Sequence, residues 1–206
     1  MNLRERKKLR TRKAISDAAI ALFLEHGFDQ VSITQVAEAA EVSRRTLFAY
    51  FPAKEDLVIQ RLADHETEAA RVVRERPEPP VSALRAHFLE RLRERDPITG
   101  LCELPAVLAL YRLIQDTPAL MNRMIEFHRA GNRALADALL EKAAVSPLVA
   151  SLAADQLTNV RWWLALGNNA RIAGGTSADD AYPAAVEAAE QAFGLLVDGL
   201  GSAGMR

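Results

Sequence analysis

Residues Ser32–Lys54 read SITQVAEAAEVSRRTLFAYFPAK, two short helical patterns separated by a turn of only a few residues. Ser32 with Gln35 three positions later is a capping-box pattern, which predicts a helix starting at Ile33. Ile33, Val36, Ala37 and Ala40 then recur at i, i+3, i+4 and i+7, giving that helix one apolar face and little more. Glu41 and Val42 break the period, Ser43 can cap a second helix, and Leu47, Tyr50 and Phe51 give it an apolar edge before Pro52 stops it. Helices this short are marginal alone in water, so both must fold against something else.

With Leu47, Tyr50 and Phe51 turned inward, Arg44, Arg45 and Phe48 are left on the outer face of the second helix, with Thr46 at its edge. Two arginines at a helix start oppose the macrodipole, which already places positive charge there, so an anion is the natural partner. A helix-turn-helix inserts the N-terminal end of its second helix into the major groove, where a guanidinium matches guanine O6 and N7 with two hydrogen bonds. The plainer alternative is a solvated basic corner.

Upstream, Thr11 to His26 reads as a first helix. Ile15, Ala18, Ala19, Leu22 and Phe23 form its stripe and Gly27 its stop. Before it, Arg4, Arg6, Lys7, Lys8, Arg10, Arg12 and Lys13 crowd thirteen residues against Glu5 alone. Such an arm can follow a phosphate backbone or enter a minor groove, or it can be a solvated tail.

Downstream, Lys54 opens a longer helical pattern to about Arg76, with Val58, Leu62, His65, Ala69 and Val72 on one seam. Pro77, Pro79 and Pro80 interrupt it. Helices are then expected over Val81 to Arg95, over Leu101 to Gln115 with Pro105 in the first turns or at a kink, and from Thr117-Pro118 to about Lys142. Ser146-Pro147 opens the next, ending at Gly174-Gly175, and Ser177 with Asp180 starts the last. There is no strand alternation, so the expected fold class is all-α.

The 206 residues allow a full core without staples, and 50% are hydrophobic with few aromatics, which favours helices. One cysteine, Cys102, rules out an internal disulfide and a cysteine-based zinc site and fits a reducing, cytoplasmic setting. No secretory leader or membrane span is expected. The net charge of −1 does not itself suggest nucleic acid; the distribution of the charges does.

From about Ala14 to Leu57 the chain resembles the TetR family of bacterial transcriptional regulators, in the helix ending at Gly27-Phe28, then SITQVAEAAEVS, then RRTLFAYFPAKEDL. The family often has Gly where this chain has Glu41 and Arg45, and Tyr and His where it has Phe48 and Ala49. A non-Gly residue with positive φ costs about 1 kcal/mol, so Glu41 is strained if it adopts that geometry. The resemblance implies a helix-turn-helix DNA-binding domain over residues 1–55, with the basic arm, and a larger helical ligand-binding and dimerisation domain over 56–206. It implies Arg44, Arg45 and Thr46 near bases and Tyr50 and Lys54 near phosphates, with Thr34 and Gln35 as weaker contacts.

The resemblance also implies a homodimer joined through the last two helices, an inverted-repeat double-stranded DNA operator, and a small-molecule effector that moves the fourth helix to release a repressor. For the effector, His65, Tyr111, Phe127, Asn159 and Trp162 are candidate contacts. Asn159 is expected to face an apolar interior with Leu148, Leu152, Trp162 and Leu166, as a ligand contact or as a satisfied structural amide. His65 is likewise either a sensor or a hydrogen-bonded core residue. No metal or cofactor is expected. No HExxH, phosphate loop, nucleophile elbow or ExxH pair occurs, so an enzyme is not expected. The alternative function is an effector-blind DNA-organising protein of the same fold.

Overall fold

The computed structural model describes residues 2–200, and among them the chain is built of α-helices joined by turns, with no strand. The helices are α1 (Leu3–His26), α2 (Ile33–Ala39), α3 (Arg44–Tyr50), α4 (Asp56–Ile59), α5 (Ala63–Glu66) and α6 (Glu68–Glu75). They continue as α7 (Pro80–Arg93), α8 (Pro105–Asp116), α9 (Pro118–Lys142), α10 (Pro147–Ala173) and α11 (Ala178–Leu200). None is long and apolar enough to cross a membrane.

Two compact units result. One holds the described residues up to Ala63 together with Ala109–Glu126, and the other holds Asp64–Leu108 and the described residues from Phe127 onward. The boundary thus lies beyond the expected residue 55, and a stretch from mid-chain joins the N-terminal unit.

In the first unit, Ile15, Ala19 and Phe23 of α1 are buried and form a wall. Val36 and Ala37 of α2, Leu47 of α3, Phe51, and Leu57 and Val58 of α4 close over it. Each large side chain so buried contributes roughly 2 kcal/mol. Phe23 and Phe28 meet as tilted rings 4.9 Å apart. The Ser16 hydroxyl donates to the Leu57 carbonyl at 2.7 Å, which ties α1 to α4 and satisfies a buried polar group.

Asp56 is the unit's buried carboxylate. It accepts from the Ala53 amide at 3.1 Å and from Arg123 of α9, whose Nε lies 2.8 Å and Nη2 2.7 Å from Oδ1. Removing one partner of a fully buried pair costs about 3–5 kcal/mol, and the 38% exposure of the Arg123 side chain lets water replace part of it. Arg123→Ala is therefore expected to lower the stability of this unit by about 2 kcal/mol, read as a fall in the urea midpoint at unchanged slope.

Three sequence expectations are corrected here. The first helix begins at Leu3 rather than Thr11, because Asn2 and Glu5 close a capping box and the Lys, Arg and Leu residues between are good helix formers. The basic arm is thus a helical extension of α1. The long helix from Lys54 is instead α4, a 3-10 turn over Gln60–Leu62, α5 and α6. Its break at Thr67 coincides with a close approach: a Cβ on Gly131 would lie 2.6 Å from the Glu66 carbonyl oxygen. The helix expected from Leu101 begins at Pro105, which stands at its first position, where its missing N–H costs nothing.

In the second unit α11 packs on α7 and α10 through alanines. Ala150, Ala153 and Ala154 of α10 and Ala185 and Ala189 of α11 are fully buried. Small side chains let the backbones come close, and Phe88 and Phe193 fill what remains, with ring centroids 6.1 Å apart. This packing reverses the expected face of α10. Ala150, Ala153, Leu157, Ala165 and Asn168 point to the core, while Leu148, Leu152 and Asn159 are exposed. Hydropathy favoured the leucines inward; the close approach of the helices favours alanine.

Candidate nucleic-acid interface and effector residues

The turn between α2 and α3 is fixed by side-chain caps at both helix starts. The Ser32 amide and hydroxyl each donate to Gln35 Oε1 at 2.8 Å, and the Gln35 amide donates back to Ser32 Oγ at 3.3 Å. The Thr46 amide donates to Ser43 Oγ at 3.0 Å, and the two hydroxyls lie 2.8 Å apart. Between the caps Glu41 has φ 53°, the left-handed geometry whose strain the sequence anticipated.

Arg44 and Arg45 stand exposed at the first two positions of α3, and among the described residues neither takes an ion pair or hydrogen bond. Thr34 and Gln35 are exposed at the start of α2, Gln35 with its amide oxygen already engaged in the cap. Thr46 and Tyr50 are half-buried. Phe48, left off the expected contact set, exposes 44% of its surface one turn beyond Arg44. A ring there can lie against a thymine methyl.

Lys54 departs from the expected phosphate role. Its ammonium donates to the Phe28 carbonyl and rests 4.3 Å from the Phe28 ring centroid and 5.4 Å from that of Phe23. Burial pushes its pKa down. Its cation–π contacts make it an anchor of the unit's core. Arg4, Arg6, Lys7, Lys8 and Arg10 are all exposed on the first turns of α1.

The expected effector residues divide differently. Tyr111 is half-buried in the first unit, and Asn159 is exposed on α10, so its amide does not face an interior. Phe127 and Trp162, both half-buried in the second unit, flank His128: Trp162 meets it edge-on at 4.8 Å and Phe127 lies at 6.1 Å. His65 is hydrogen-bonded, its Nδ1 lying 3.1 Å from Glu68 Oε2. Glu68 itself, three residues after His65 and absent from the expected set, is only 2% exposed and also faces His87, Arg91 and Arg161.

Two histidines shift in opposite directions. The hydrogen bond to Glu68 raises the His65 pKa, so its contribution to stability is complete below the ordinary value of 6.5 and fades as pH rises through the folded value. Burial, assisted by Arg161, pushes His128 down to about 4. The folded state therefore refuses a proton that the unfolded chain accepts, and stability held above pH 6.5 is lost as pH falls toward 4. His128→Phe is expected to flatten the fall in melting temperature between pH 6.5 and 4 relative to wild type, and to leave the two curves parallel above pH 7.

A short, doubly capped helix-turn-helix with exposed arginines at the head of its second helix, braced by α1, has the geometry with which such motifs enter a major groove. Residues 15–60 match the family model described as bacterial regulatory proteins, tetR family. The transcriptional regulator TcmR of Streptomyces glaucescens is 35% identical over 126 residues, which cover 58% of this chain and 54% of TcmR. The chain thus spans about half the length of that relative. Among solved structures, NalD of Pseudomonas aeruginosa, described as the secondary repressor of a multidrug efflux pump, superposes with a TM-score of 0.57. It is 17% identical, over 90% of this chain and 97% of NalD. The SmeT–triclosan complex superposes with a TM-score of 0.56 at 18% identity, over 89% of this chain and 91% of SmeT. Residues 15–60 thus carry the N-terminal region that the tetR family model describes, and the helical fold as a whole is shared with NalD and SmeT.

Proposed function

We propose that the protein is a transcriptional repressor that binds an inverted-repeat operator as a homodimer and is released when a small molecule occupies its second unit. The observation that carries the reading is the exposed, unpaired Arg44–Arg45 pair at the head of α3. In the proposed complex Arg44, Arg45 and Thr46 face bases, with Thr34, Gln35 and Tyr50 along the backbone.

Pairing of two copies is supported by α10 and α11. Leu148 and Trp163 of α10 each expose 69% and Leu195 of α11 exposes 76%, large apolar side chains that a second copy would cover. A two-fold protein requires half-sites in successive major grooves, about 10 base pairs apart or a multiple of it. NalD, named as a repressor, supports the sign of regulation, and SmeT with triclosan supports a small-molecule effector. Gene regulation also requires access to DNA in the cytoplasm.

The helical arm adds a sequence-independent component. Deleting residues 2–10 is expected to lower the slope of log affinity against log salt by about 2, since each phosphate that is no longer neutralised takes about 0.9 off the slope. Fluorescence anisotropy across a salt series reads it, and an unchanged slope would remove the arm from the interface. The proposal as a whole is tested by footprinting on a bound promoter fragment. Two symmetric protected half-sites, with two chains per site, are expected; a single asymmetric patch would contradict the dimeric reading.

A further inference from the structure

In the second unit one carboxylate is shared among four bases. Glu68 Oε1 lies 3.3 Å from His87 Nε2 and 3.2 Å from Arg91 Nη2, and Oε2 lies 3.1 Å from His65 Nδ1 and 3.7 Å from Arg161 Nη2. Arg91 is well served beyond this, with Glu94 at 3.2 Å and Asp96 at 3.1 Å. Arg161 is not. At 3.7 Å its one carboxylate neighbour is outside hydrogen-bonding distance, and among the described residues no other acceptor engages its five N–H donors. Only 17% of the side chain is accessible, so this is a mostly buried guanidinium with its fork unused, and burial pushes its pKa down.

Apart from the Glu68 cluster, Arg161 has a neutral aromatic neighbour. His128, which feels the Arg161 charge, is held neutral at physiological pH and packs edge-on against Trp162, with the Phe127 ring 6.1 Å away. A free cationic fork next to a neutral aromatic wall is suited to a ligand with a carboxylate at one end and a flat apolar body at the other. A cationic ligand has no counterpart here, because the buried carboxylate, Glu68, is already surrounded by bases.

We infer that the effector of this regulator is an aromatic carboxylate, bound through the Arg161 guanidinium with its apolar body against Phe127, His128 and Trp162. This rests on the proposal that the second unit receives a small molecule. Glu68 positions Arg161 and leaves its fork free, and the ligand completes the donors the fold leaves unused.

The test uses the full chain, Trp fluorescence and thermal shift, with a panel of benzoate, 2-naphthoate and indole-3-acetate and the matching neutral amides. Saturable binding of at least one acid is expected, with its amide at least about tenfold weaker, since two charge-assisted hydrogen bonds are missing from the amide complex. Arg161→Gln should weaken the acid by a similar factor and leave the amide unchanged, with Arg161→Lys falling between. Retained operator binding shows that the variants fold. Equal binding of acid and amide, an unaffected Arg161→Gln, or no saturable binding by any acid in the panel would each overturn the inference. Acid binding that leaves operator affinity unchanged would support the site and contradict effector release instead.

Discussion

Gly100→Ala is expected to destabilise the second unit by about 4 kcal/mol, on the order of a 10 °C fall in melting temperature for a chain of this size. Gly100 closes the 3-10 turn Pro97–Thr99 with φ 72°, a left-handed geometry that any side chain disfavours. The greater problem is space. A Cβ there would fall 1.9 Å from the Ala165 carbonyl oxygen, 2.8 Å from its carbon and 3.0 Å from the Asn169 nitrogen, all backbone of α10. Nothing flexible can give way, so the turn must lift off the helix. Lifting it breaks the buried hydrogen bond from Asn168 Nδ2 to the Thr99 carbonyl, 2.9 Å long, and leaves two polar groups without partners. Gly175 is the control. Its φ is 92°, yet a Cβ there meets nothing within 4 Å, so Gly175→Ala carries only the backbone strain of about 1 kcal/mol. Equal losses for the two variants, measured by thermal denaturation, would contradict the steric account.

The second large effect falls on DNA and not on the fold. Arg44→Ala and Arg45→Ala are each expected to weaken operator binding by about 1–3 kcal/mol, roughly 10- to 100-fold, and to relax specificity at one base position each. Both side chains are exposed and engage no other described residue, so the melting temperature should not move. A phosphate contact would behave differently, weakening all sequences alike and reducing the salt slope by about 1. Affinities of each variant for the operator and for single-base variants, at one stated salt concentration, separate the two roles. Uniform loss without relaxed specificity would remove the arginines from base reading.

The reading head was legible because its signals are local. Ser32 with Gln35, Ser43 before the arginines, and the apolar spacing of Val36, Ala37, Leu47 and Phe51 all act within a few residues, and the caps and burial follow them. Non-local facts were not legible. Lys54 looked free for phosphate because nothing in sequence shows that the Phe28 carbonyl and ring lie beside it. Asn159 was placed inward by a leucine stripe that close alanine packing turns outward. The i, i+3 spacing of His65 and Glu68 could be read, but the approach of His87, Arg91 and Arg161 from α7 and α10 depends on tertiary packing. The segmentation of the helix after Lys54 had no breaker of its own, since the close approach at Gly131 lies in α9.

The central claim is that α3 reads sequence for a two-fold symmetric regulator. Selection of binding sites from a random duplex pool by the purified protein, at fixed salt, tests it most directly. Enrichment of an inverted repeat, with Arg44→Ala and Arg45→Ala each losing preference at one position of the half-site, is the predicted result. Binding that follows salt alone, with no enriched motif, would contradict it.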